Sequence, residues 1–229
     1  KVGDSVYYAG AINRPCSNSQ LHLLDERIVG HKPRSLDNAS AAALPLTAIT
    51  AWELLFDRLG VAQGGGEGDS LLIIGAAGGV GSILTQLARR LTKLTLIGTA
   101  SRADTREWVS GLGAHHVIDH SKPLVEQLEA IGVGQVSHVA SLTHTDSHFA
   151  QLIDALRPQG KLALIDDPKT LDVMPMKRKA LSLHWELMFT RSLFETPDMI
   201  RQHELLESVA KLVDDGELVT TLGEHFGVI

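Results

Sequence analysis

Between residues 71 and 186 short apolar runs alternate with stretches whose apolar positions recur at a helical spacing. The runs 71–75, 94–99, 115–119, 136–142 and 161–166 read as buried strands, and 181–186 as a sixth. The helical stretches are 80–91, 103–112, 123–131 and 146–156, with a last amphipathic helix at 198–214. Val80, Ile83, Leu84, Leu87, Ala88 and Leu91 hold a 3.6-residue period. Gly113 ends the second helix, and Pro158 with Gly160 closes the fourth. Strand–helix alternation with short loops requires right-handed crossovers and a sheet covered on both faces. The expected fold class is α/β, a doubly wound six-stranded parallel sheet.

The N-terminal segment, residues 1–36, reads as β structure and loops. Val6, Tyr7 and Tyr8 suggest a short strand, followed by a polar turn through Asn13, Pro15, Ser17 and Asn18. Leu21, Leu23, Leu24, Ile28 and Val29 follow, with Pro33 as punctuation. Ser35 or Asp37 is positioned to cap a helix carrying Ala39 to Ala43. A second helix, Thr47 to Leu59, is amphipathic through Ile49, Trp52, Leu55, Phe56 and Leu59. The stretch GGGEGDS at 64–70 is a turn with little side chain to pack.

Composition narrows the function classes. The 229 residues carry a net charge of -6, so no basic field exists to attract nucleic acid. The densest basic run, Lys177-Arg178-Lys179, reads as a solvated turn. A single cysteine, Cys16, permits neither an intrachain disulfide nor a cysteine zinc cluster, as expected in the cytoplasm. No apolar stretch reads as a membrane span and no signal peptide is visible. The chain opens in the middle of a β-rich region, and a piece of a longer protein is therefore expected.

The chemistry concentrates in LLIIGAAGGVGSILTQLARRL, residues 71–91. A buried strand runs into Gly75, Gly78, Gly79, Val80 and Gly81, and a helix starts at once. That order aims a helix N-terminus at a pyrophosphate. Gly78 removes the Cβ that would block the phosphates, and Gly81 lets the helix lie close to the strand. Ala76 stands where the usual fingerprint has its first glycine. In such a sheet the ligand crosses the C-terminal strand ends, which nominates 75–81, 99–102, 141–143 and 165–167. The second strand ends Thr99-Ala100-Ser101-Arg102, with no acid before Asp104 to hold a ribose diol. Ser101 and Arg102, joined by His120 at the end of the third strand, suit a 2′-phosphate. The expected cofactor is therefore NADPH. The bland alternative makes Arg102 a solvated helix cap and His120 a loop residue.

AAALPLTAITAWELL, IIGAAGGVGSILTQLARRL and LGAHHVIDHS resemble the medium-chain dehydrogenase/reductase superfamily. The similarity is strongest to its quinone oxidoreductase-like branch and, within it, a bacterial group labelled "zinc-type alcohol dehydrogenase-like". KVGDSVYYAG and HWELMFTRSLF share it, so the resemblance covers essentially the whole chain. It implies the end of a GroES-like catalytic domain at 1–43, an NADP-binding Rossmann domain at 44–214, and at 215–229 the start of a return segment. Most of the catalytic domain would then lie outside this chain.

The same resemblance implies that zinc-dependent members carry four closely spaced cysteines where Ala9 to Gln20 hold only Cys16. Their late catalytic cysteine falls near Leu46, which cannot bind a metal. No metal ligand is expected, although those outside the chain leave zinc open. His144 and His148, spaced i, i+4 around Asp146, are alternative ligands, but Thr145 as an N-cap explains the segment more simply. His115 and His116 are neighbours in a strand and point to opposite faces.

Thr50 matches a family position whose hydroxyl lies near the nicotinamide. Ser141, Leu142, Thr143, Ile165 and Asp166 would border the nicotinamide ribose. None is an obvious proton donor, so the catalytic residues are unknown, and Asp166-Asp167 before Pro168 reads as a turn. The resemblance implies NADPH-dependent hydride transfer to a quinone, enone or other small carbonyl without zinc. A zinc alcohol dehydrogenase and a non-catalytic NADP(H)-binding module are the alternatives. The chain by itself is expected to be inactive. The strand at 181–186 pairs across a two-fold axis in many relatives, so a homodimer is expected.

Overall fold

A computed structural model describes residues 3–14 and 22–224. Cys16, most of the polar turn around it and the segment HFGVI lie outside the described residues. The chain forms two compact units, Lys1–Thr50 with Leu187–Ile229, and Ala51–Glu186.

In the first unit, β1 (Val6–Tyr7) pairs antiparallel with β2 (Gly30–His31), and a 3₁₀ turn covers Glu26–Ile28. Asp37 caps α1 (Asn38–Ala42) by accepting the Ser40 N–H at 2.7 Å. Ser35 is not the cap; its N–H and hydroxyl both donate to Asp214. α2 (Pro45–Trp52) follows. The long C-terminal helix also belongs to this unit. The reason is a set of bonds to the β1–β2 pair: buried Tyr7 donates its hydroxyl to the Leu206 carbonyl at 2.6 Å, and the His31 N–H donates to Glu207 at 2.7 Å.

In the second unit, six strands lie parallel in the order β5-β4-β3-β6-β7-β8. They are β3 (Ser70–Ile74), β4 (Thr95–Thr99), β5 (His116–Ile118), β6 (Val136–Ser141), β7 (Leu156–Leu164) and β8 (Ser182–Trp185). The crossovers carry α3 (Gly79–Leu91), α4 (Ala103–Gly111), α5 (Leu124–Ala130) and α6 (Thr145–Ala155). The first unit adds α7 (Thr190–Phe194) and α8 (Arg201–Asp214). The sheet is the expected doubly wound, Rossmann-type one. β3 lies between β4 and β6 and is buried along its whole length, which explains its unbroken apolar run.

Three readings are corrected. The helix expected over 47–59 is α2 followed by a π-helical turn, Glu53–Arg58, in which the Leu59 N–H reaches the Leu54 carbonyl at 2.9 Å. The strand expected at 161–166 begins earlier, directly after α6, and runs through Pro158 and Gly160. It does so because a register irregularity against β6 between Val136 and His138, with Gln159 at φ 64°, absorbs the proline. Finally, the helical stretch Asn38–Arg58 has the length (21 residues) and mean hydropathy (1.4) of a membrane span, with 61% of its most apolar window buried inside the protein, as in a core helix.

The basic run is also more than a solvated turn. Lys179 ends a 3₁₀ segment (Met174–Lys179) and donates to the carbonyls of Ile153, Asp154 and Leu156 at 2.7–2.9 Å, closing the C-terminus of α6.

Candidate dinucleotide site

The glycine loop connects β3 to α3. Gly75 has φ +78°, a left-handed conformation that a side chain disfavours. At Gly81 a Cβ would come within 2.4 Å of the Gly75 carbonyl oxygen and 2.6 Å of the Ala76 Cα, so only glycine allows this approach of helix to strand. At Gly78 a Cβ would meet nothing nearer than the Gly75 oxygen at 3.4 Å. Its missing side chain therefore leaves open space in front of the helix. Gly78 is the N-cap of α3 and supplies no side-chain bond, while the Ser82 N–H is the first to bond back, to the Gly78 carbonyl at 2.8 Å. The N–H groups of Gly79, Val80 and Gly81 precede that bond and concentrate the positive end of the helix dipole. This cradle fits a pyrophosphate.

The neighbouring strand ends are locked to the loop and to one another. Thr99 Oγ1 accepts the Gly75 N–H at 3.1 Å. The Leu142 N–H donates to the Ile74 carbonyl at 3.2 Å, Ile165 to Ser141 at 3.4 Å and Glu186 to Leu164 at 2.9 Å. Thr143 stands against the loop, where its Cγ2 would lie 3.0 Å from a Cβ on Gly75. Gly75–Gly81, Ser141–Thr143 and Ile165–Asp166 thus lie at the C-terminal ends of neighbouring strands.

The side chains at that edge differ in what they leave available. Ser141 is fully buried, and its hydroxyl lies 2.7 Å from that of Thr145. Asp166 accepts from the Thr145 N–H at 2.9 Å and from its hydroxyl at 2.5 Å. Ser141 and Asp166 therefore use their side chains to brace α6, which leaves their backbone at the strand ends. The N-cap residue of α6 is His144, at φ 51°, not Thr145, and Asp166 provides the carboxylate that the cap lacks. Leu142 and Thr143 are half-exposed. Thr50 lies in the first unit, buried, with its hydroxyl bonded back to the Leu46 carbonyl at 2.8 Å.

At the end of β4, Ser101 and Arg102 are exposed, and Arg102 Nε lies 3.3 Å from an exposed Asp104 oxygen. His120 is half-buried, with its ring 6.2 Å from that of His148 in an edge-to-face pair. Arg106, which the sequence reading passed over, donates to the Ala100 carbonyl at 3.1 Å and the Val117 carbonyl at 2.7 Å. It fastens the ends of β4 and β5 together one helical turn beyond Arg102. A second arginine four residues on was the available signal.

Among the described residues no three histidine, cysteine, aspartate or glutamate side chains gather as a metal site. His115 instead accepts the Leu96 N–H on its ring at 2.9 Å, and burial holds its pKa below the usual histidine value.

A doubly wound sheet with an uncapped glycine turn at its C-terminal edge defines a dinucleotide-binding domain. The chain belongs to the zinc-type alcohol dehydrogenase-like group of the medium-chain dehydrogenase/reductase superfamily, a family of oxidoreductases that use a nicotinamide dinucleotide. A family profile described as zinc-binding dehydrogenase matches residues 112–228. A zinc-type alcohol dehydrogenase-like protein of Staphylococcus aureus (strain MSSA476) is 38% identical over 227 residues, covering 98% of this chain and 68% of that protein. A 2-methylene-furan-3-one reductase of Solanum lycopersicum is 36% identical over 172 residues, 70% of this chain and 43% of the relative. A solved protein from Rhizobium etli CFN 42, labelled a zinc-dependent alcohol dehydrogenase, superposes with a TM-score of 0.92 at 58% identity, covering 96% of this chain and 65% of its own. Quinone oxidoreductase of Escherichia coli, solved with NADPH, shares the fold (TM-score 0.79, 23% identity, 98% of this chain and 67% of its own). The chain thus spans about two thirds of the length of the staphylococcal, rhizobial and Escherichia coli proteins.

Proposed function

We propose that this chain is the cofactor-binding part of an NADPH-dependent reductase that passes hydride to a quinone, an enone or another small carbonyl without catalytic zinc. The observation that carries the cofactor choice is the end of β4. Exposed Ser101 and Arg102 stand where an NAD-selective site would place a ribose-binding acid, and Asp104 turns toward Arg102. The sequence similarity to an enone reductase supports the acceptor class. When bound, the nicotinamide supplies the hydride. The chain's own residues hold the pyrophosphate at Gly78–Gly81, receive the 2′-phosphate at Ser101, Arg102 and His120, and border the nicotinamide ribose with Leu142, Thr143 and Ile165.

Titration with NADPH and with NADH, followed by nicotinamide fluorescence, tests the cofactor choice, and tighter NADH binding would refute it. A zinc alcohol dehydrogenase is the second reading, favoured by the labels of its relatives. Stoichiometric zinc in the full-length protein would establish it. Tight NADPH binding by that protein without turnover of quinone, enone or aldehyde would favour a sensing module. The edge strand β8 exposes half of Trp185, and we propose that it pairs two copies into a homodimer, which sedimentation can check.

A further inference from the structure

Glu53 and Glu186 meet in the interior of the second unit. Both side chains are fully shielded from solvent, and Arg58 approaches both: its Nε lies 2.7 Å from Glu186 Oε2, and its Nη2 lies 4.0 Å from Glu53 Oε2. The π-helical turn supplies Glu53 and Arg58 together. Glu186 is the first residue beyond β8, its N–H held by the Leu164 carbonyl. Glu186 Oε1 is buried with no hydrogen-bond partner.

Two carboxyl groups buried beside the same guanidinium oppose each other's ionisation. Such a pair ionises only once, because the second charge is opposed by burial and by the first. Burial, then the Glu53 carboxylate, push the Glu186 carboxyl up to about 8, against the pull of Arg58. His184, two residues back on β8, and Lys161 on β7 also lie near this face. Burial, then Lys161 and Arg58, depress the pKa of His184, and Lys161 donates to the Leu59 carbonyl at 2.8 Å. Glu186 is also the last residue of the unit, and Glu53 stands close to its first, Ala51.

We propose that Glu53 and Glu186 share one proton at neutral pH, and that the shared proton latches the π-helical turn to the end of β8, fastening together the two ends of this unit. Mildly alkaline solution removes the proton and loosens the latch. Infrared spectroscopy of the 229-residue chain and its Glu186→Gln and Glu53→Gln variants tests this. The expected result is a neutral-carboxyl stretching band at pH about 7 that fades toward pH about 9, and is absent from either variant, since each leaves one carboxylate paired with Arg58. Denaturant titration adds an independent reading. Relative to Glu186→Gln, the folding equilibrium constant should fall about tenfold per pH unit between about pH 5 and 8. A wild-type spectrum without the band at neutral pH, or a pH-independent stability difference, overturns the proposal. Should Glu186→Gln fail to fold, the wild-type band and its loss in Glu53→Gln decide the matter.

Discussion

Asp166, just beyond β7, caps α6 by binding Thr145 twice, through its backbone N–H and through its hydroxyl. The residue is thereby taken out of direct side-chain service to a ligand and made part of the wall. Asp166→Ala should lower stability by about 1–2 kcal/mol, the usual cost of a lost N-terminal cap. Asp166→Asn keeps one acceptor and should lose less. Urea titration of the two variants checks the order.

Gly81→Ala places a methyl group against the carbonyl oxygen of Gly75 and the backbone of Ala76. Helix and strand must part, so a destabilisation of about 1–3 kcal/mol is expected. Nicotinamide binding should weaken with it. Gly78→Ala is the companion variant, since a Cβ there meets nothing nearer than 3.4 Å. It should leave stability nearly intact while weakening the dinucleotide, which calorimetry separates from unfolding.

Arg102→Ala should cost NADPH about tenfold or more in affinity, the worth of one charge-assisted bond, while NADH binding changes little. Asp104→Asn frees the guanidinium from its neighbour and should shift preference slightly further toward NADPH, because exposed ion pairs are weak. Equal losses for both nucleotides in Arg102→Ala would show that the arginine only stabilises α4.

His138 is half-buried in β6, 2.8 Å from the Ser137 hydroxyl, and burial depresses its pKa. The folded chain then binds fewer protons here than the unfolded chain. The linked stability is present above the ordinary histidine value of 6.5 and declines as pH falls from there through the lower folded value. The difference between wild type and His138→Asn should follow that course in denaturant titrations.

The fold was legible because apolar periodicity is decided locally. β3 reads as a buried strand from five consecutive aliphatic or small residues, and α3 from one stripe. The glycine loop was legible for the same reason, its strand and helix being contiguous. What stayed hidden depended on distant partners. Nothing near Lys179 announces that it closes α6, and nothing near Asp166 announces Thr145. The π-helical turn is invisible because one inserted residue leaves the apolar stripe of 47–59 almost intact. Arg106 was passed over because its acceptors are backbone carbonyls of two strands, at which only its spacing from Arg102 hinted.

The backbone bonds that continue the ladder beyond the strands, from Ile74 to Leu142, Ser141 to Ile165 and Leu164 to Glu186, have a thermodynamic consequence. A lip already immobilised before any visitor arrives forfeits little conformational freedom on contact, so more of each interaction survives as affinity. Selectivity at such a lip comes from shape and charge offered in advance, and a nucleotide that fits poorly cannot induce a better seat.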